Sequence, residues 1–196
     1  MLNIVIFGAP GSGKGTQSAL IVEKFRLDYI STGAELRKAI DEGSEPGKMA
    51  KEYIDRGRLV PDELIIRLVA GFLDGKQNSK GILFDGFPRT VPQAVALKEI
   101  MNAHGMALPV LIDLQVDDDE LIRRLLERGK TSGRSDDYPE TVRARLDVYR
   151  TQTAPLATYY LNEGKYAAIR GCGTIDGIFR QIVDAIECRT VESLNY

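Results

Sequence analysis

Residues 8–16 constrain the fold of this chain more than any other stretch. They read Gly8-Ala9-Pro10-Gly11-Ser12-Gly13-Lys14-Gly15-Thr16, between the apolar run of residues 3–7 and an amphipathic stretch over residues 16–25. Strand, glycine-rich turn, then helix is the setting in which such a run becomes a phosphate-binding P-loop. The glycines let backbone N–H groups turn inward around phosphate oxygens, and the helix N-terminus adds partial positive charge. Lys14 can then reach β- and γ-phosphates. In the usual pattern Ser or Thr follows the lysine directly. Here Gly15 intervenes and the hydroxyl comes at Thr16.

The rest of the chain continues this pattern. Short apolar runs at 28–30, 82–84, 110–114 and 166–169 add to 3–7, with helical patterns between them, as at 117–128, 141–149 and 175–186. Runs apolar throughout belong to strands covered on both faces, and alternation with helices gives βαβ units. The expected fold class is α/β, a P-loop NTPase-type five-stranded parallel sheet with helices on both faces. Two stretches do not fit the sheet. Residues 31–60 are polar and helical, with a break expected from Gly43 to Gly47, and residues 129–139 read as a polar loop between two helices. Such excursions often carry binding groups.

Composition narrows the function classes. The net charge is −2, so nothing global invites nucleic acid or an anionic membrane, and any bound anion needs a local basic cluster. Cys172 and Cys188, with one histidine, cannot supply the four ligands of a structural zinc site. No apolar run reaches about 18 residues and no signal segment is seen, so the expectation is a cytoplasmic chain without a membrane partner. His104 precedes Gly105 at a helix end, where a cation suits the dipole.

A second phosphate signal follows the strand at 82–84. Asp85 ends it at the carboxyl edge of the sheet, where ligands bind in open α/β folds. A carboxylate there can hold Mg²⁺ through water. Arg89 comes after a turn at Gly86 and Pro88, and guanidinium suits bidentate phosphate contact. The alternatives are a capping Asp85 or an Asp85–Arg89 ion pair. Arg124 and Arg128 lie i, i+4 on one predicted helix, Arg134 in the polar loop, and Arg143 and Arg145 on the next helix. Arginines brought to a phosphoryl group stabilise its transfer. A solvated basic face paired with Asp136, Asp137 and Glu140 is the competing reading, preferred for Arg123 and Arg143. No Asn-Lys-x-Asp run of the guanine-reading kind is present, which argues against a GTPase switch.

With these motifs in place, the sequence resembles the adenylate kinase family. The resemblance rests on residues 8–17, 31–37, 81–89 with Gln93, and 124–134 with Arg145, in family order and spacing, and spans nearly the whole chain. It implies a core of residues 1–30, 61–128 and 142–196, an AMP-binding excursion at 31–60, and a short lid at 129–141 without zinc. By the same resemblance Gly11, Ser12, Gly13, Lys14, Gly15 and Thr16 would hold ATP phosphates, with Arg124, Arg128 and Gly173 also on ATP. Thr32, Arg37, Arg58, Leu59, Val60, Gly86, Phe87, Pro88, Arg89, Gln93, Arg134 and Arg145 would hold AMP. Lys14, Arg89, Arg128, Arg134 and Arg145 would be catalytic, and Asp85 would serve the Mg²⁺ that comes with ATP. Asp136 and Asp137 would tie the lid. ATP, AMP and ADP are the implied small-molecule partners, and the family pattern implies a monomer. One departure is Ala34, where many members carry an acidic residue.

UMP/CMP kinases share the P-loop, the short lid and the 131–134 segment. Thr32 and Gln93 favour adenine over pyrimidine, because pyrimidine kinases tend to carry alanine and asparagine there and an amide can pair with adenine N6 and N1 or N7. A non-catalytic nucleotide sensor, or a P-loop protein that recruits partners, is the reading from another class.

Overall fold

A computed structural model describes residues 1–76, 78–132, 134 and 136–192. The strands are β1 (Ile4–Phe7), β2 (Asp28–Ser31), β3 (Ile82–Asp85), β4 (Val110–Gln115) and β5 (Tyr166–Arg170). They form one parallel five-stranded sheet in the order β2-β3-β1-β4-β5. The helices are α1 (Lys14–Phe25), α2 (Thr32–Asp41), α3 (Glu45–Ile54), α4 (Asp62–Leu73), α5 (Val91–Ala103), α6 (Asp118–Ser132), α7 (Pro139–Val148), α8 (Pro155–Asn162) and α9 (Ile175–Glu192). A π-helical turn, Tyr149–Thr153, joins α7 to α8.

The strand period of two explains why the runs are apolar throughout. Ile4 and Ile6 face one side with Leu83, Ile112 and Leu114, and pack on Ile21 of α1 and Ile178, Ile182 and Ile186 of α9. Val5 and Phe7 face the other side with Ile82, Phe84 and Leu111. They pack on Val69 and Leu73 of α4, Leu97 and Met101 of α5, and Leu156 and Tyr160 of α8. The central strands β1, β3 and β4 are buried on both faces, while the edge strands β2 and β5 are partly exposed, and such burial leaves the strand ends as the place for chemistry. A third cluster, Ala9, Leu121, Leu125, Val142 and Leu146, fixes α6 and α7 beside the P-loop.

Two expectations about breaks are corrected. The expected break at 43–47 is confined to Glu42–Ser44 (residues 42–44), and Gly47 lies inside α3. A Cβ on Gly47 would come within 2.0 Å of the Ala39 carbonyl oxygen, so this glycine lets α2 and α3 touch rather than ending a helix. The expected loop at 129–139 begins later, because α6 runs on to Ser132 and α7 starts at Pro139. Gly129 is again a point of close approach, with a Cβ position 2.8 Å from the Asp137 carbonyl oxygen. Helix α9 likewise passes residue 186 and reaches Glu192. His104 caps α5, with Nδ1 2.9 Å from the Ile100 carbonyl, as its position before Gly105 suggests.

Candidate active site

The P-loop rises from the carboxyl end of the central strand β1. Gly8 has φ 137° and a Cβ position 2.7 Å from both the Leu114 carbonyl oxygen and Ser12 Oγ, so no side chain fits. Gly13, the residue before α1, has φ 97°, a left-handed conformation that glycine adopts without strain. Lys14 curls back over the loop, donating from Nζ to the carbonyls of Gly8 (2.8 Å) and Ala9 (3.0 Å). Burial lowers its pKa from the usual 10.5 to about 8. Asp85 opposes that fall, while Arg89, Arg145 and Arg128 add to it.

The next strand end supplies the second group. Asp85 closes β3, and its Oδ2 accepts a hydrogen bond from the Tyr29 hydroxyl at 3.0 Å. Desolvation and then the Asp85 charge push the Tyr29 pKa up to about 12, so Tyr29 remains a donor at neutral pH. Arg89 turns its Nε to the Gly86 carbonyl (2.8 Å), which also accepts from Thr32 Oγ1 (2.8 Å). The guanidinium is thus aimed by backbone rather than paired with Asp85. Burial and then the neighbouring Arg145 lower the Arg89 pKa, and burial and then Arg134 lower that of Arg37. Such crowding of cations is costly without an anion between them.

The third group comes from α6, α7 and the segment joining them. Arg128 makes a two-pronged contact with Asp137, Nε to Oδ2 at 2.7 Å and Nη2 to Oδ1 at 2.6 Å. Arg145 Nη1 reaches Asp137 Oδ1 and Asp136 Oδ2, both at 2.9 Å. Burial opposes ionisation of Asp137, but Arg128 and Arg145 outweigh it and hold the carboxyl below its ordinary pKa. These pairs leave the arginines oriented, with Arg128, Arg134 and Arg145 all on the cleft. Arg124 is held by Glu120 Oε1 (2.7 Å) and by the Gly171 carbonyl (3.3 and 3.2 Å), beside the 171–173 turn. Arg123 is on the solvent face, but its partners are Glu120 and Glu127 rather than the expected Asp136, Asp137 or Glu140, the first two of which pair with Arg145 and Arg128.

One cleft of about 540 Å³ gathers most of these residues. Gly11, Gly13, Lys14, Gly15, Thr16, Arg37, Arg58, Leu59, Asp85, Gly86, Pro88, Arg89, Arg124, Arg128, Arg134 and Arg145 line it. A smaller cavity of about 60 Å³ adjoins it under α2, and there Thr32, Val60 and Gln93 appear. Ser12 and Phe87 are buried behind these walls, and Gly173 lies outside them. Sequence reasoning missed Tyr29, Gly57, Val148, Tyr149 and Thr153 as walls of the large cleft. The π-helical turn accounts for two of them. It places Tyr149, whose ring centroid is 5.7 Å from that of Phe7, and Thr153 at the cleft. Such turns often occur at functional sites, but nothing in the sequence announces one.

Seven arginines and one lysine line the large cleft, against the single carboxylate of Asp85. A chain of net charge −2 has concentrated cations at one strand edge, which makes the cleft electrostatically suited to a polyanion. Comparison with known proteins identifies the lineage of this arrangement. The family model described as "Adenylate kinase" matches residues 6–165. The chain belongs to the adenylate kinase family. It is 60% identical to the adenylate kinase of Parabacteroides distasonis, over 95% of this chain and 98% of that protein. It is 58% identical to that of Phocaeicola vulgatus (95% and 99% covered) and 46% identical to that of Porphyromonas gingivalis (95% and 96% covered). Family membership makes the chain a phosphotransferase, and the motifs that carry the resemblance in sequence are those that converge on the cleft.

Proposed function

We propose that the chain catalyses the reversible reaction Mg·ATP + AMP ⇌ 2 ADP by direct in-line transfer. The observation that carries this reading is the convergence of two phosphate-binding elements on one cleft, the P-loop with Lys14 and the β3 edge with Arg89. The AMP phosphate is largely dianionic at neutral pH and needs no strong general base. Catalysis is then positioning and neutralisation of charge by Lys14, Arg89, Arg128, Arg134 and Arg145.

The walls of the two cavities support the following placement of the nucleotides. Residues 11–16 take the ATP phosphates, and Arg124, fixed against the 171–173 turn, flanks the ATP base. Residues 31–60 form the AMP-binding excursion, with Thr32, Arg37, Arg58, Leu59, Val60, Gly86, Arg89 and Gln93 around AMP. Residues 129–141 act as a short lid on α6 and α7. Asp85 fits Mg²⁺ brought with ATP, since this ion is usually held by one or two carboxylates, phosphates and water. When bound, the ion neutralises charge on the phosphates. The Tyr29 hydroxyl engages one Asp85 oxygen and leaves the other for such a role.

Arg89→Ala tests the scheme. We expect turnover with AMP to fall by about 10³-fold or more, with ATP binding and the thermal midpoint close to those of the unaltered protein. Near-normal turnover would remove Arg89 from its role.

A further inference from the structure

Gln93 is 2% exposed, lines the smaller cavity, and has its amide held from two sides. Its Oε1 accepts from the Arg89 backbone N–H at 2.7 Å, and its Nε2 donates to Asp62 Oδ1 at 2.7 Å. The second oxygen of Asp62 accepts from the Thr90 hydroxyl at 2.9 Å, and Thr90 Oγ1 in turn accepts from the Gln93 backbone N–H at 3.3 Å. The four residues form a closed ring joining the first turn of α4 to the loop that carries Arg89.

This ring decides which end of the amide is oxygen. A backbone N–H can face only the acceptor end, and a carboxylate only the donor end. Reversing the amide would set N–H against N–H at Arg89 and oxygen against oxygen at Asp62. Each end still has capacity to spare, a second lone pair on Oε1 and a second hydrogen on Nε2. Gln93 therefore offers the cavity one acceptor and one donor in fixed order. Adenine presents a 6-amino donor beside a ring-nitrogen acceptor, which an amide pairs with in one sense only. A 6-oxopurine presents an acceptor in place of that amino group.

We infer that Asp62 is a positioning residue for base selection, holding the Gln93 amide in the sense that accepts 6-aminopurine monophosphates and rejects 6-oxopurine ones. This inference rests on the proposed AMP site. It goes beyond that site by assigning specificity to a side chain that need not touch the nucleotide.

The experiment compares AMP with IMP, which differ at the purine 6-position, as acceptors for Mg·ATP. The proteins are the unaltered chain, Asp62→Ala, Asp62→Asn and Glu63→Ala. Glu63 is the neighbouring first-turn acid of α4, so Glu63→Ala removes a similar helix-end charge without touching the ring. In Asp62→Ala, the kcat/KM ratio of AMP to IMP should fall by about tenfold or more, chiefly through a raised KM for AMP. KM for ATP should hold, and Glu63→Ala should keep the original ratio. Asp62→Asn keeps the size of the side chain and can still accept from Gln93 Nε2 through Oδ1 while its Nδ2 donates to the Thr90 hydroxyl oxygen, so it should keep most of the ratio. If Asp62→Ala will not fold, Asp62→Val, which has no acceptor, decides the matter. An unchanged ratio in folded Asp62→Ala or Asp62→Val, or an equal shift in Glu63→Ala, overturns the inference. Absence of AMP turnover in the unaltered chain would instead overturn the proposed reaction, so the two failures are distinguishable.

Discussion

Lys14 shows how strongly one residue feels this cleft. It donates to the Gly8 and Ala9 carbonyls, and burial among arginines lowers its pKa to about 8. The consequence for stability has a definite sign. Between about pH 8 and the usual 10.5 the native protein binds fewer protons than the unfolded chain, so the Lys14 contribution to stability rises with pH across that window. Below about pH 8 the cost of burying the charged amine is present in full. For activity the sign is opposite, because phosphate needs the charged form. The free enzyme's titration appears in kcat/KM, and that of the complex in kcat. We therefore expect kcat/KM for ATP to decline above about pH 8, with kcat level to higher pH. A kcat/KM flat to pH 10 would contradict this. Lys14, Asp85 and the arginines were legible in the sequence because glycine runs and charge placement are strong signals. Asp62 and Tyr29 were not. Asp62 meets Gln93 across 31 residues and Tyr29 meets Asp85 across 56, and neither has a local pattern that singles it out.

At the scale of elements, the strands were legible nearly to their ends, since runs apolar on both sheet faces leave little freedom. Helix boundaries around glycines were not. Gly47 and Gly129 look like breaks, yet each is a place where another backbone comes too close for a Cβ. Helix packing, which sequence does not display, overrides the modest cost of a helical glycine, about 1 kcal/mol relative to alanine. The distinction is measurable. If Gly47 were a helix-interior glycine with open space around it, Gly47→Ala would be stabilising by up to about 1 kcal/mol. Because its Cβ would overlap the Ala39 backbone, we expect destabilisation of about 1–3 kcal/mol in urea unfolding. The damage should be local to α2 and α3 and should raise KM for AMP more than KM for ATP. A stabilised Gly47→Ala protein would show that the two helices are not in close contact.

At the scale of the molecule, the sheet serves as a platform whose carboxyl edge faces α2, α3, α6 and α7. The residues that follow α3 meet α7 at a tight seam. Gly57, after α3, has a Cβ position 3.1 Å from Arg145 Cγ and from the Thr141 carbonyl oxygen on α7. Arg37, Arg134 and Arg145 line one volume beside this contact, and in the proposed scheme closure of residues 129–141 over it would exclude water from the transfer. The central claim is that the acceptor in this volume is AMP. Purified protein with Mg·ATP is to be mixed separately with AMP, CMP, UMP, GMP or no acceptor, and the diphosphates quantified by chromatography. We predict ADP formation that depends strongly on AMP, with only slow hydrolysis in its absence. Preference for CMP or UMP would contradict the assignment of Thr32 and Gln93, and no acceptor-dependent transfer from folded, ATP-binding protein would contradict the proposed reaction itself.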